Sequence, residues 1–491
     1  MRILFASSEA YPLIKTGGLG DVSGSLPRAL LDLKQDVRLI IPAYAEALGQ
    51  LGKTQRIAEF SEGTYNVTLH EGQLPGSTLT VWLVEATGYF DRPGNPYLDS
   101  NGEPWADNAE RFALFCRAVT RLALDQVGLD WRPDIVHCND WQTGLVPALL
   151  SLSAQRPATV FTIHNLAYQG LFPAETLHKL GLPPAWWNHH TLEFHNQLSF
   201  IKGGLVFADR INTVSASYAQ EIQTPEFGNG LDGLLRHRSA ALSGILNGID
   251  TQEWDSASDP LLEHHYDSTD LSGKQTNKLA LQTALGLPQK ADTPLIGLIS
   301  RLVTQKGIDI ILEALPSLMK QPLQFVVLGS GDRTMEEALL SMAKQHPNKL
   351  VVTIGYDEIL AHRIEAGVDM YLMPSRFEPC GLNQLYSLRY GSVPIVRNVG
   401  GLADTVVDTS AKTLSKGTAN GFVIDSDDSL AMVKTIKRAL RRFRDKAQWR
   451  QLQITGMQQD FSWQHSAKEY LSLYRLAERD KRTLNPGTHS E

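Results

Sequence analysis

The chain has 491 residues, of which 42% are apolar and 20% charged, with a formal net charge of −7. That length exceeds one ordinary hydrophobic core and implies two or three domains, while the composition excludes a disordered chain. The acidic balance offers no basic face to nucleic acid or an anionic membrane, and no stretch has the length of an apolar membrane span.

The opening MRILFASSEAYP is of strand length and lacks the small-residue cleavage pattern of a signal peptide. Three widely spaced cysteines, Cys116, Cys138 and Cys380, form no C-x-x-C pair, which suits a reducing compartment. The expected location is the cytoplasm. Short β-branched runs then alternate with longer amphipathic ones, the pattern of an α/β fold with parallel sheets buried on both faces. RILFAS, VRLIIP, DIVHCND, ATVFTIHN and DRINTVS predict strands in the first half, with helices over Asp21–Leu33 and Ala109–Val127.

Residues 250–274, DTQEWDSASDPLLEHHYDSTDLSGK, are polar, rich in Ser and Asp, and without period. They read as a linker or irregular surface segment. A second strand series follows: PLIGLIS, LQFVVLGSG, LVVTIGY, DMYLMPS, VPIVRNVG and GFVID. Helices are expected over Ser429–Arg444 and Trp463–Arg479. The resulting expectation is two doubly wound, Rossmann-like domains, 1–250 and 251–460, then a terminal helix over 461–480 and a tail over 481–491. Ligands of such sheets sit beyond the carboxyl ends of the strands, so two facing domains would line a deep cleft.

Several strand ends carry chemistry. EAYPLIKTGGLGDVSG sets Lys15 just before Gly17, Gly18 and Gly20. It is not a dinucleotide fingerprint, because the second strand ends LIIPAY without a carboxylate. Nor is it a P-loop, since the lysine precedes the glycines. Two readings remain: a tight structural turn, or a loop whose backbone amides approach an anion beside a cation. In GLISRLVTQKG, Arg301 and Lys306 are either solvated cations or the holders of a diphosphate.

In MYLMPSRFEPCGLNQLYSLRYG, Glu378 precedes a Pro-Cys-Gly turn and a helix from about Leu382 to Tyr390. It is either a capping glutamate or an acceptor for sugar hydroxyls. Backbone amides at Gly381 and Leu382, and over Leu402–Thr405 after NVGG, are candidate phosphate seats. His164 and Asn165 close the strand ATVFTI. His137, Asp140 and Trp141 hold the equivalent place one strand earlier, with Trp141 either a sugar-stacking face or core. Asn247 precedes the polar segment, and Gly355 and Tyr356 end another strand. The pairs His189–His190 and His264–His265 lack metalloprotease spacing and no nucleophile elbow is present, so no metal and no cofactor is expected.

KTGGLGDV (15–22), SRLVTQKG (300–307), SRFEPCGLNQLYSLRYG (375–391) and VGGLADTV (399–406) closely resemble the bacterial glycogen synthases and plant starch synthases. These are retaining α-glucosyltransferases of the GT-B fold that use ADP-glucose. The likeness implies that Lys15 and the Gly17–Gly18 backbone contact the donor phosphates, and that Arg301 and Lys306 neutralise the departing diphosphate. Glu378, with the backbone of Cys380, Gly381 and Leu382, would position the glucose ring, and His164 would lie at its C6 or anomeric side. Asp21, Tyr97, Asp140, Asn165, Asn247, Tyr356 and Thr405 match further donor- or acceptor-site positions. The last helix would cross back onto the first domain.

One position departs from the wider retaining GT-B pattern. Many such enzymes carry a second Glu where this chain has Tyr386, and that form favours the narrower family. The implied reaction moves glucose from ADP-glucose to the non-reducing 4-hydroxyl of an α-1,4-glucan such as glycogen, with net retention. Alternatives are a UDP-sugar transferase with another acceptor, an epimerase, a pyridoxal-dependent phosphorylase, or a non-catalytic glucan-binding protein. Joint retention of Lys15, Arg301, Lys306 and Glu378 argues against the last.

Overall fold

The apolar runs of the two halves become the centres of two separate sheets in a computed structural model that describes residues 1–484. The chain divides into two compact units: residues 1–248 together with the stretch from Trp463 onward, and residues 249–462.

The first unit contains β1 (Arg2–Ala6), β2 (Asp36–Pro42), β3 (Gln55–Glu62), β4 (Tyr65–Gln73), β5 (Thr80–Glu85), β6 (Ile135–Asn139) and β7 (Ala158–Ile163). A small antiparallel sheet takes β8 (Leu171–Pro173), β9 (Glu193–Phe194) and β10 (Gln197–Ser199), and the main sheet resumes with β11 (Arg210–Thr213) and β12 (Leu242–Gly244). The main order is β12-β11-β7-β6-β1-β2-β5-β4-β3. Its centre is parallel and buried on both faces, with every residue of β6 and β7 out of solvent.

The sheet is not parallel throughout, as the sequence had suggested. β4 runs antiparallel to both β3 and β5, and Gly63, at φ 58°, turns the β3–β4 hairpin. One face of this edge is solvated, so its apolar residues alternate with polar ones instead of forming a continuous run. The expected first helix starts earlier, at Gly18, and spans Gly18–Asp32, because two of the motif's glycines form its opening turn.

The last helix, Trp463–Leu484, packs on that first helix and on β6, β7 and β11. Its buried Tyr474 hydroxyl lies 2.8 Å from Nδ1 of His137, and the Tyr470 hydroxyl accepts from Nδ2 of Asn212 at 3.0 Å. The helix runs into the expected tail over 481–491, of which residues 485–491 lie outside the described residues. No helix among the described residues is long and apolar enough to cross a membrane.

The second unit contains β13 (Leu295–Ile299), β14 (Gln324–Gly329), β15 (Leu350–Ile354), β16 (Met370–Met373), β17 (Val393–Arg397) and β18 (Phe422–Ile424). All are parallel, in the order β15-β14-β13-β16-β17-β18. Of the two readings of residues 250–274, linker or irregular surface segment, the second describes it: much of the segment is exposed and without regular structure, and it belongs to this unit, with a minority of its polar groups turned inward. Asp259, fully buried, accepts from the Tyr390 hydroxyl at 2.6 Å and lies 2.7 Å from Nδ1 of His362. The Tyr266 hydroxyl donates to the carbonyl of Tyr390 at 2.8 Å. Lys274, in an unanticipated helix over Ser272–Ala284, is buried among the Ala366 carbonyl and the Ser392 hydroxyl, and burial pushes its pKa down to about 7. Buried hydrogen bonds account for Ser256 and Asp259, while Ser258, Asp267, Asp270 and Ser272 lie in solvent.

Candidate active site

In the first unit, β1 delivers the chain at Ala6 into Ser7, Ser8 and Glu9, and the loop turns back before the helix at Gly18. The four glycines at the start of this helix, Gly17, Gly18, Gly20 and Gly24, divide into two kinds. A Cβ on Gly24 would stand 2.3 Å from the carbonyl oxygen of Tyr11, and one on Gly20 would meet the side chain of Lys15 at 3.0 Å. These two let the loop lie against the helix. A Cβ on Gly17 or Gly18 would meet nothing within 4 Å, so this face is open. Lys15, well exposed, stands beside it with Nζ bonded to Oδ1 of Asp21 at 2.7 Å.

Sequence reading missed Glu9, which lies under this loop. Its Oε1 accepts from the Tyr97 hydroxyl at 2.7 Å and from Oγ1 of Thr16 at 2.8 Å. Its Oε2 accepts from the amides of Thr16 at 2.5 Å and Gly17 at 3.3 Å. Tyr97, named from sequence as a minor site position, is thereby tied to the Lys15–Gly18 loop, and burial next to Glu9 raises its pKa well above the usual phenol range. The available signal was a carboxylate just beyond the carboxyl end of an apolar strand.

The neighbouring strand ends bring His164, Asn165, Asp140 and Asn139 together. Oδ1 of Asp140 accepts the backbone amide of His164 at 2.7 Å. Asp140 has φ 56° and ψ −179°, a strained backbone for a residue with a Cβ, and burial pushes its carboxyl up to about 7. Nδ2 of Asn139 donates to the carbonyl of Ala6, so Oδ1 is the atom 2.9 Å from Nε2 of His164. Nε2 therefore carries the proton and Nδ1 the lone pair. Burial pushes the His164 pKa down to about 3, which keeps the ring neutral.

Oδ1 of buried Asn247 has no hydrogen bond among the described residues, whereas Oδ1 of Asn165 accepts the amide of Ala167. His137 is core, bonded to Thr162 and Tyr474. Trp141, half-buried, packs edgewise on Phe112 and lies against Phe172, Phe200 and the face of Gly170, at the margin of the core.

In the second unit, β13 ends in Ile299, and Arg301 and Lys306 follow around a single 3₁₀ turn, Thr304–Lys306. Gly307, at φ 72°, begins the next helix with its missing Cβ 2.4 Å from the carbonyl of Pro374, which locks this turn to the end of β16. That contact brings together two residues far apart in sequence. Nζ of Lys306 bonds Oε2 of Glu378 at 2.5 Å, and the same oxygen accepts from Oγ of Ser375 at 3.1 Å. Both partners are largely shielded from solvent, which strengthens the pair. Arg301 stays exposed, with Nη2 3.3 Å from Oε1 of Gln305.

Cys380 is buried, Gly381 has φ 72°, and Leu382 is the half-exposed N-cap of the helix Asn383–Arg389. The second glycine pair is pressed on this turn. Cβ atoms on Gly400 and Gly401 would stand 2.0 Å from the carbonyl oxygens of Glu378 and Cys380 respectively. The amide of Gly401 donates to the carbonyl of Glu378 at 3.1 Å. Thr405 is buried and its hydroxyl donates to the carbonyl of Gly401 at 2.7 Å, within its own helix. Tyr356 is 83% exposed, its hydroxyl 3.4 Å from Glu358. Tyr386 stacks on Trp254 at 3.8 Å, and His362 stacks on Trp254 at 3.9 Å.

One group among the described residues has metal-ligand spacing, Glu253, Glu358 and His362, with ligand atoms within 4.8 Å of one another. Glu358 is exposed and the Nδ1 of His362 is occupied by Asp259.

Residues 2–237 match the family model described as the starch synthase catalytic domain, and residues 286–451 match that of glycosyl transferases group 1. The chain is 57% identical to a glycogen synthase of Cellvibrio japonicus, over 96% of this chain and 98% of that protein. It is 55% identical to glycogen synthase 1 of Methylococcus capsulatus, over 97% of each chain. The chain belongs to the glycogen and starch synthase family.

As in that family, the fold is GT-B. The catalytic domain of starch synthase IV from Arabidopsis thaliana, solved with ADP and acarbose bound, superposes with a TM-score of 0.87 at 34% identity, covering 97% of this chain and 99% of that one. A sucrose-phosphate synthase from Thermosynechococcus elongatus shares the fold alone, with a TM-score of 0.60 at 16% identity, over 96% of this chain and 98% of its own. This synthase-family chain is thus a glycosyltransferase, and its family works with a nucleotide-sugar donor and a glucan acceptor.

Proposed function

We propose that the chain extends α-1,4-glucan, with glycogen as acceptor, by transferring glucose from ADP-glucose to the non-reducing 4-hydroxyl with net retention and release of ADP. The observation that carries this reading is the Lys306–Glu378 pair at the end of β13, with Arg301 exposed beside it. A cation held on a buried carboxylate is fixed in place before any substrate arrives, so it stabilises a leaving anion at little reorganisation cost.

Arg301 and Lys306 neutralise the diphosphate as the glucose C1–O bond breaks. The new C1–O bond forms to the acceptor 4-hydroxyl on the same face, and its proton passes to the departing phosphate oxygen. Glu378 accepts hydrogen bonds from the sugar, with the backbone of Cys380, Gly381 and Leu382 completing that seat. The Thr405 helix start and Tyr356 serve the nucleotide end. Lys15, with Asp21 fixing it, and the Gly17–Gly18 backbone hold the phosphates from the first unit.

Neutral His164 presents Nδ1 to a sugar hydroxyl as an acceptor, not as a cation. Asn247 offers its unpaired Oδ1 likewise, while Asp140, Asn165 and Tyr97 line the acceptor side. Cys116, Cys138 and Cys380 are buried and form no disulfide among the described residues, which supports a cytoplasmic location.

The test is labelled-glucose incorporation into glycogen from ADP-glucose and UDP-glucose in parallel, with a no-glycogen control. Incorporation from ADP-glucose that depends on glycogen, and that falls at least about 10²-fold in kcat in Lys306→Ala, is the expected result. Donor consumption without glycogen labelling, or normal kcat in Lys306→Ala, refutes it.

A further inference from the structure

We propose that Glu9 is a positioning residue for the donor loop: its buried carboxylate fixes the backbone of Thr16 and Gly17, so that Lys15 and Gly18 meet the donor phosphates preformed. The proposal rests on the ADP-glucose reading above and adds a residue to it.

Glu9 is 3% exposed, yet its carboxyl group is met by two hydroxyls and two amides, with no cation among them. A buried carboxyl group satisfied by neutral donors is expensive unless those donors are held in place. Here the donors come from two elements. Tyr97 approaches from the segment before the helix Asn108–Ala123, and Ser8 in turn bonds its hydroxyl at 2.7 Å. Thr16 and Gly17 are the loop itself. Glu9 therefore staples the loop to the body of the first unit.

The loop needs such a staple. Its glycines supply no side-chain contacts at Gly17 and Gly18, and Lys15 reaches outward to Asp21. Elsewhere it is anchored by a bridge between Ala10 and Ile14 and by the amide of Tyr11 on the carbonyl of Gly20 at 2.9 Å, both on the far side of Lys15 or beneath the helix. The Gly20 amide reaches the carbonyl of Gly17 at 3.1 Å, but the amides of Thr16 and Gly17 are both held by Glu9. Glycine-rich backbone loses the most conformational freedom on ordering, and a loop ordered in advance does not charge that loss to donor binding.

The arrangement also sorts the amides. That of Gly17 is turned to Glu9, whereas that of Gly18 opens the helix, where N–H groups lack an intrahelical partner. The donor then meets the Gly18 amide and Lys15, and the Gly17 carbon face supplies clearance.

The experiment compares Glu9→Ala with Glu9→Gln in steady-state kinetics and in amide hydrogen exchange. Gln can keep its oxygen on the two amides, because the Thr16 and Tyr97 hydroxyls can rotate to accept from its nitrogen. In Glu9→Ala the KM for ADP-glucose rises about tenfold or more, the KM for glycogen changes little, and exchange quickens at Thr16 and Gly17 while β1 and β6 stay protected. Glu9→Gln recovers most of each change.

The proposal is overturned if folded Glu9→Ala keeps its donor KM within about twofold of the parent, or if the loss falls on kcat with the donor KM unmoved. Should Glu9→Ala fail to fold, Glu9→Asp, which draws the charge back by one methylene, takes its place under the same criteria. A parent enzyme that ignores ADP-glucose overturns the donor reading instead, and the exchange rates still judge the staple.

Discussion

Two glycine pairs, Gly17–Gly18 and Gly400–Gly401, look alike in sequence, each opening onto a helix at the end of a strand-and-loop unit. They do opposite work. Gly400 and Gly401 are pressed against the carbonyls of Glu378 and Cys380, and Gly400 has φ 44°. They exist so that two loops can touch backbone to backbone and fix Glu378 against Lys306. Gly17 and Gly18 face open space in a loop held from beneath by Glu9. In one unit the glycines permit close backbone contact, and in the other they leave clearance. A glycine count cannot distinguish these, whereas the atoms that a Cβ would meet can.

The contrast breaks first at Gly401. Gly401→Ala drives a methyl into the Cys380 carbonyl and should cost more than about 3 kcal/mol, read as a collapse of soluble yield or of the melting temperature. A Gly401→Ala protein melting with its parent would put this pair in the same class as Gly17–Gly18.

The units also differ in what they bury, and acid sharpens that difference. In the first unit burial pushes the His137 pKa down to about 3, against about 6.5 for the unfolded chain. A depressed pKa contributes stability that is present above pH 6.5 and is lost as pH falls toward 3. By pH 5 the loss is about 2 kcal/mol. The gap in urea stability between the parent and His137→Gln should therefore narrow by that amount between pH 7 and pH 5. A gap independent of pH would show that His137 is not held neutral.

The smallest effect is expected at the open pair. Gly17→Ala and Gly18→Ala should leave the melting temperature within about 2 °C of the parent. They should still raise the KM for ADP-glucose several-fold, about 1 kcal/mol, because the added methyls occupy the donor's clearance. A drop in melting temperature with unchanged KM would make these glycines packing residues too.

Much of this was legible in the sequence where burial is apolar and complete. The strands β1, β6, β7, β13, β14, β16 and β17 stand out because parallel strands covered on both faces are continuous apolar runs. The β3–β4 hairpin escaped because one of its faces is wet. Within residues 250–274 the inward-facing groups escaped for the reverse reason: Asp259, Tyr266 and Lys274 are buried by hydrogen bonding, which hydrophobic periodicity does not register. Lys15, Lys306 and Glu378 were visible as residues of the right chemistry at strand ends. The pairing of Lys306 with Glu378 was not, because it depends on Gly307 docking on Pro374 across two strands. Glu9 gave the faintest signal, one carboxylate in a stretch that reads simply as the end of a strand.

The terminal helix has a consequence for biosynthesis. The second unit is one uninterrupted segment and has all its parts once Ser462 has left the ribosome. The first unit begins at Met1 but waits for Tyr470 and Tyr474 to cover His137, Thr162 and Asn212. The half made first is therefore completed last, and until then a polar seam in its central sheet stands uncovered, within reach of chaperones and proteases.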